Sequence, residues 1–172
     1  MSDVMYKDAY DSPQDVRPGY RSKTNFSPKI EQGFIGLKIF IPEVVEFKSD
    51  DVVDDLGSFS YIPLSISYRF SLGYESKFDN LTDHIVVVAV DSVSGESFSA
   101  TLDDDDDADY RQTDLSGISE NDLNNTFSTS YLTVNLIHFL NLPNKEATYN
   151  MHVTLEEFQS SPAAVSLKLL KD

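Results

Sequence analysis

The stretch YIPLSISYRF, residues 61–70, decides the predicted fold. Its even-numbered residues are large and mostly apolar, namely Ile62, Leu64, Ile66, Tyr68 and Phe70. Its odd-numbered residues are smaller or polar, namely Pro63, Ser65, Ser67 and Arg69. Successive side chains of a strand point to opposite faces of the sheet, so this alternation predicts a β-strand. We expect the first face to lie in a core and the second to face water.

Two later segments continue the strand pattern around a short turn. HIVVVAV (84–90) and ESFSATL (96–102) are separated by DSVSG, which contains the turn-forming Gly95. Two β-rich runs around a glycine-containing turn predict a hairpin. We expect Phe98, Ala100 and Leu102 to face the core.

The C-terminal part of the chain predicts a second hairpin. ATYNMHVTLEEF (147–158) and AAVSLKLL (163–170) both alternate with period two. The residues expected to face inward are Tyr149, Met151, Val153 and Leu155 in the first segment, and Val165, Leu167 and Leu169 in the second. Asn150, His152 and Thr154 are expected to face outward.

Three further segments are less regular. FIGLKIFIPEVVEF (34–47) is rich in β-branched and aromatic residues, but Pro42 cannot donate a sheet hydrogen bond, which predicts an edge position or a bulge. In YLTVNLIHFL (131–140) strand and short helix compete over residues 132–141, and we favour a strand. Ser119 is in position to cap a short helix.

These segments amount to about seven short strands with turn signals between them. This pattern predicts an all-β fold, an antiparallel β-sandwich, with a single domain over residues 30–172. Residues 1–29 are predicted to form an extended, irregular N-terminal arm.

The C-terminal third also resembles a known class of domain. LNLPNKEATYNMHV (140–153) is similar to the tyrosine-corner region of immunoglobulin-like and fibronectin type III-like domains, and SSPAAVSLKLL (160–170) is similar to their last strand. The resemblance implies that the Tyr149 hydroxyl bonds a backbone group upstream. The chain has no Trp and no Cys, so an antibody-type domain is not implied.

The arm differs from the rest of the chain in charge and composition. It carries five basic and four acidic residues, while the remainder carries eight basic and 25 acidic ones. Its prolines and glycine break regular patterns, and its aromatic residues are too widely spaced to form a core. The candidate interaction residues of the arm are Tyr6, Tyr10, Arg17, Tyr20, Arg21 and Phe26. Three alternatives stay open: the arm covers its own body, reaches a second copy, or is disordered.

The net charge of −16 argues against two classes of partner. Binding to nucleic acid or to anionic lipid requires a concentrated basic surface, so neither is an expected partner. The first residues lack the features of a signal peptide, and no apolar run approaches the length of a membrane span. We therefore expect a cytoplasmic protein. The absence of Cys excludes disulfides and thiolate chemistry.

No catalytic signature is found in the sequence. The three histidines, His84, His138 and His152, stand in no recognisable motif, and there is no nucleophile elbow, phosphate loop or dinucleotide fingerprint. We expect a protein that is not an enzyme. We also expect no cofactor, with a bound calcium ion as the alternative.

An acidic run follows the first hairpin. Residues 103–107 are all Asp, and Asp103, Asp105, Asp107 and Asp109 recur at every second position, which in an extended segment places four carboxylates on one side. Carboxylate oxygens are the ligands of calcium, but the EF-hand pattern fails because Ala108 stands at its glycine position. We favour a solvated loop, with a metal site or a partner surface as alternatives.

Three functions remain open. The first and favoured one is a non-enzymatic module for protein–protein interaction or self-assembly, expected to form a homo-oligomer in which the arm contacts the acidic body of a second copy. The second is a calcium-dependent binding module. The third is an acidic mimic of nucleic acid that occupies a basic groove on another protein.

Overall fold

The computed structural model describes residues 9–48, 61–102, 114–143 and 145–170. The described residues are mostly β. The strands are β1 (Gly36–Phe40), β2 (Val44–Lys48), β3 (Pro63–Ser71), β4 (Val86–Asp91), β5 (Ser97–Thr101), β6 (Phe127–Asn135), β7 (Ala147–Leu155), β8 (Phe158–Gln159) and β9 (Ala163–Leu170). Three short α-helices are α1 (Leu72–Glu75), α2 (Glu120–Asn125) and α3 (Leu136–Leu140), and 3-10 turns cover Pro13–Asp15 and Leu81–His84.

The strands form two sheets. The small sheet has the order β1-β3-β6, and the large sheet has the order β2-β9-β7-β4-β5 with β8 paired to β7. Both hairpins predicted from the sequence are confirmed, since β4 pairs with β5 and β7 pairs with β9. The prediction of a purely antiparallel fold is wrong at one place, because β2 and β9 run parallel.

The parallel pair arises where the chain changes sheet. β1 is an edge strand of the small sheet and β2 is an edge strand of the large sheet, and only residues 41–43 separate them. Pro42 lies in this link, in agreement with its exclusion from the interior of a sheet. The chain thus reaches the large sheet beside β9, where Ser166 N–H donates to the Glu43 carbonyl at 2.8 Å.

The core is built from the inner faces of both sheets. The predicted inward residues of β3 are all buried, with Ile66 and Phe70 at 0% exposure. The same holds for β7, where Met151 and Val153 are also at 0%. Leu102 is buried, while Phe98 and Ala100 are partly buried against the same cluster. The predicted inward faces of these strands are confirmed.

The favoured strand beyond Leu136 is wrong. β6 ends at Asn135, and α3 follows it directly. The Asn135 side-chain oxygen accepts hydrogen bonds from the backbone N–H of Ile137 and of Ile62, both at 3.2 Å. The Asn135 side chain therefore caps α3 and also holds the end of β6 to the residue that precedes β3. Asn141 ends α3 in the left-handed conformation, with φ of 52°.

The predicted helix at Ser119 is present. α2 begins after Ser119, whose side chain accepts from the Asp122 backbone N–H at 3.1 Å. This is the N-cap arrangement expected from the sequence. Among the helices of the described ranges, none is long and apolar enough to cross a membrane.

The expected role of the Tyr149 hydroxyl is wrong. Tyr149 is fully buried, and its hydroxyl has no hydrogen-bond partner. The ring lies edge-on to Phe98 with 6.0 Å between centroids. Because Tyr149 stands at an inward position of the central strand β7, its hydroxyl is enclosed by the core and makes no bond to backbone upstream. This burial raises the pKa of Tyr149.

The second face of β3 also differs from its prediction. Ser65 is 2% exposed and Ser67 is 0% exposed, although we expected this face to meet water. Some other part of the chain must therefore lie over the outer face of the small sheet.

Candidate interaction surface

The arm covers the outer face of the small sheet. Its backbone joins the free edge of β6, where Gly19 N–H donates to the Thr133 carbonyl at 2.7 Å and Thr133 N–H donates to the Tyr20 carbonyl at 2.9 Å. Thr133 lies opposite Ser65 in the sheet register. The arm is thus fixed directly beside the serine-bearing face of β3.

Side chains of the arm complete this covering. Phe26 stacks on Phe40, with ring centroids 5.8 Å apart and planes inclined at 24°. Phe40 lies opposite Ser65, so it shares the outer face. Lys23 Nζ lies 5.7 Å from the centroid of Tyr131, on the same side of β6. The arm therefore packs across both edge strands of the small sheet and over β3 between them.

Two residues of the arm are as deeply buried as core residues. Val16 is 1% exposed and Thr24 is 0% exposed. Thr24 Oγ1 accepts from the backbone N–H of Phe26 at 3.1 Å, which satisfies part of its hydrogen-bonding capacity in a local turn. This burial shows that residues 9–29 form a third layer on their own body.

The local fold of the arm follows from its turn residues. Ser12 caps the 3-10 turn that starts with Pro13. Gly19 has φ of 76°, a left-handed conformation that glycine adopts without steric cost. The Asn25 side chain accepts from the Tyr10 N–H at 3.0 Å and donates to the Tyr10 carbonyl at 2.8 Å. These two bonds hold together the two ends of the segment from Tyr10 to Asn25.

The predicted interaction residues take different positions in this layer. Tyr10 and Tyr20 meet edge to face with 6.1 Å between ring centroids, and both are half-buried. Arg17 is exposed, whereas Arg21 and Phe26 are half-buried. Tyr6 lies outside the described residues. The structure thus brings the aromatic residues together on the sheet and leaves Arg17 at the surface.

Sequence reasoning missed the residues that hold the far end of the arm. Lys38 on β1 donates to the Lys29 carbonyl at 3.1 Å and forms an ion pair with Glu31. This pairing lowers the pKa of Glu31. No motif marks these residues, because their proximity depends on the arm crossing the sheet.

A half-buried carboxyl group was also missed. Glu75 lies in α1, just beyond the end of β3, and accepts a hydrogen bond from Ser128 Oγ on β6. Burial raises the pKa of Glu75, and the Ser128 bond opposes part of that rise.

The histidines and acidic residues show no metal site in the described ranges. Across them, no group of three His, Asp or Glu side chains is close enough to hold an ion. The ring of His84 lies against Phe78 with 4.9 Å between centroids, and His152 lies on the predicted outward face of β7. The predicted calcium ligands Asp103, Asp105, Asp107 and Asp109 lie outside the described residues.

An open groove runs along the other edge of the small sheet. It has a volume of about 310 Å³ and lies between β1 and the segment from β8 to the start of β9. Its apolar lining residues include Phe34, Ile35, Leu37, Phe158 and Pro162.

No protein-family model, curated protein or solved structure matches the chain.

Proposed function

We propose that this protein is a non-enzymatic module for protein–protein interaction and self-assembly. Its two sheets form a β-sandwich, with the resemblance to immunoglobulin-like and fibronectin type III-like domains as the guide to their arrangement. Its contact surfaces are the arm on one side and the acidic body on the other. The partner is a second copy of the chain.

The separation of charge carries this proposal. The described part of the arm has four basic residues, Arg17, Arg21, Lys23 and Lys29, and two acidic ones, Asp11 and Asp15. Arg17 and Lys29 are exposed on the arm. The basic arm layer lies over the small sheet, so it faces away from the large sheet.

Acidic residues dominate the surface of the large sheet and its turns. The exposed ones include Glu43, Glu46, Glu96, Glu146, Glu156 and Glu157. Opposite charges on two sides of one molecule favour contact between the arm of one copy and the body of the next. Such a contact uses different patches on the two partners and is therefore heterologous.

The solution mass of the chain tests this proposal. We expect the full chain to exceed its monomer mass of 19.3 kDa in light scattering at low ionic strength, and to lose mass as salt screens the charges. A double variant with Arg17→Glu and Lys29→Glu is expected to lose the salt-sensitive part of this association, so that its mass no longer changes with ionic strength.

A matched control carries the same change in net charge elsewhere. Lys77→Glu and Lys168→Glu replace two exposed lysines outside the arm. This control should keep the mass of the unmodified chain. Equal masses for the arm variant and the unmodified chain at every salt concentration would refute the arm as a contact surface.

The other two predicted functions stay predictions. Calcium binding depends on aspartates outside the described residues. The nucleic-acid mimic depends on a basic partner, and pull-down of basic proteins in a salt-sensitive manner is the observation that would support it.

A further inference from the structure

The outer edge of β1 has no partner strand among the described residues. β1 ends the order of the small sheet and pairs with β3 alone. An unpaired edge presents backbone N–H and C=O groups to any second strand that approaches it. Which residues present these groups follows from the hydrogen-bonding pattern of the sheet.

In antiparallel sheets, residues point their backbone groups alternately to one neighbour and to the other. Leu136 N–H donates to the Ile62 carbonyl, and Leu72 N–H donates to the Thr126 carbonyl, so the even-numbered residues of β3 bond toward β6. The odd-numbered residues of β3 therefore bond toward β1. The bonds of Thr133 to the arm agree with this phase, since Thr133 lies opposite the odd-numbered Ser65.

The register then defines the free groups of β1. Gly36, Lys38 and Phe40 lie opposite odd-numbered residues of β3 and bond to them. Leu37 and Ile39 lie opposite even-numbered residues, so their N–H and C=O groups point to the unpaired edge. The edge thus offers two donors and two acceptors at alternate positions, as strand addition requires.

The sequence around this edge is self-complementary. Ile35, Leu37, Ile39 and Ile41 surround Lys38 symmetrically. In an antiparallel pair centred on Lys38, Leu37 of one copy lies opposite Ile39 of the other, and Ile35 lies opposite Ile41. On the opposite face, Gly36 of one copy lies opposite Phe40 of the other.

We propose that β1 pairs with β1 of a second copy around a two-fold axis at Lys38, which joins two small sheets into one continuous sheet. This inference rests on the proposed self-assembly and adds a second, isologous contact to it. Ile35 is 46% exposed and becomes covered by the partner strand. The groove beside β1 gives the incoming strand apolar surface at Phe158 and Pro162.

The two Lys38 side chains face each other in this arrangement, which by itself is unfavourable. Each is compensated within its own chain, because Lys38 forms an ion pair with Glu31 and donates to the Lys29 carbonyl. The pair is therefore held mainly by backbone hydrogen bonds and apolar contacts. It should depend far less on salt than the contact made by the arm.

The edge of the large sheet at β5 provides a control. β5 ends the large sheet, and Leu102 N–H donates to the Ile85 carbonyl, which places the N–H groups of Ser97, Ser99 and Thr101 on the unpaired side. That edge has no apolar self-complementary row, and the chain continues from it into the aspartate run. Ser99 is thus the counterpart of Ile39 on an edge where no pairing is expected.

The first test is a proline at each edge of the full chain. Ile39→Pro removes an outward N–H that bonds nothing within the monomer, and edge strands accept proline. In high salt we expect twice 19.3 kDa for the unmodified chain and for Ser99→Pro, but 19.3 kDa for Ile39→Pro. The dissociation constant of Ile39→Pro should rise at least about tenfold through the lost hydrogen bonds. A monomeric unmodified chain, or a dimeric Ile39→Pro, overturns the proposal.

A cysteine variant gives an answer that does not depend on the proline folding well. The chain has no Cys, so Lys38→Cys introduces a single thiol at the proposed axis. Opposed residues of this kind of pair have Cα atoms about 4.5 Å apart, within the range of a disulfide. Mild oxidation should yield a covalent dimer of Lys38→Cys and none of Ser99→Cys. Equal yields from both would contradict the proposed axis.

The experiments distinguish the contact made by the arm from the contact made by the edge of β1. Loss of salt-sensitive association in the Arg17→Glu, Lys29→Glu variant, with the Lys38→Cys disulfide absent, supports the arm contact alone. Formation of the disulfide with no effect of the arm variant supports the edge contact alone.

Discussion

The outer faces of the two sheets look alike in sequence and differ in the structure. β3 in the small sheet presents Ser65 and Ser67 outward, and β5 in the large sheet presents Ser97 and Ser99 outward. The first two serines are buried at 2% and 0% exposure, whereas the second two are exposed. The difference is the arm, which lies over one sheet and not over β5.

This difference shows what small polar residues can do on a sheet. Serine is short enough to lie beneath another layer, and it retains a hydroxyl for a local bond, as between Ser65 and Thr133 at 3.1 Å. Ser67 shows the unfavourable case, because its buried hydroxyl has no hydrogen-bond partner. A polar face is therefore compatible with water or with a covering segment that is itself partly polar.

The largest expected effect comes from the face that the two sheets share. Ile66 in the small sheet and Val153 in the large one are both fully buried. Replacing either by Ala should lower the free energy of unfolding by about 2 to 4 kcal/mol, through lost burial and the cavity left behind. Urea titration measures this. A loss below about 0.5 kcal/mol at both positions would contradict the common core.

A smaller effect is expected from the layer that only the small sheet has. Val16→Ala removes two methyl groups from the buried side of the arm and should lower the free energy of unfolding by about 1 to 2 kcal/mol. This loss is smaller than in the core because the arm can relax around the gap more easily. Val93→Ala makes the same chemical change in the β4–β5 turn, where Val93 is 93% exposed. Thermal unfolding of both variants compares them. Equal midpoints would mean that the arm adds nothing to stability.

The smallest effect concerns pH at the edge of the small sheet. Burial raises the pKa of Glu75, so the folded protein binds a proton there more readily than the unfolded chain does. The stability from this group is present at low pH and is lost as pH rises through the raised pKa. Glu75→Gln should therefore gain stability relative to the unmodified chain above that range, by less than about 1 kcal/mol since solvent screens a half-exposed group.

Denaturant titrations at several pH values test this sign. Glu120→Gln makes the same chemical change at an exposed carboxylate of the neighbouring helix α2, and provides the comparison for general electrostatic effects. A Glu75→Gln variant that is relatively more stable at low pH than at neutral pH would contradict the inferred direction.

Much of the large sheet could be predicted from the sequence. The inward residues of β5, β7 and β9 follow from period two, and the two hairpins follow from the short separations between their strands. The cap at Ser119 was also readable, because capping depends on residues three positions apart. These features are local, so the sequence pattern contains them.

The rest depends on contacts that no local pattern contains. The burial of Ser65 requires the arm, more than thirty residues earlier in the chain, and the outer edge of β1 becomes visible only when its register with β3 is known. Asn135 caps a helix through the Ile137 N–H, and it also accepts from the N–H of Ile62, a residue far away in sequence. Of the candidate site residues, Tyr10 and Tyr20 were identified, but Asn25, Glu31 and Lys38 were not, since nothing marks them as neighbours.

The parallel pair of β2 and β9 has a consequence for how the protein folds. Val44 lies opposite Ser166, near the other end of the chain, so this pairing closes a very long loop. Long-range closure of this kind slows folding. During synthesis β2 leaves the ribosome before β9, which follows all the other described strands, so β2 must wait for its partner. We expect the junction at Pro42 to help in this interval, because it ends β1 and stops β2 from extending the small sheet while its partner is missing.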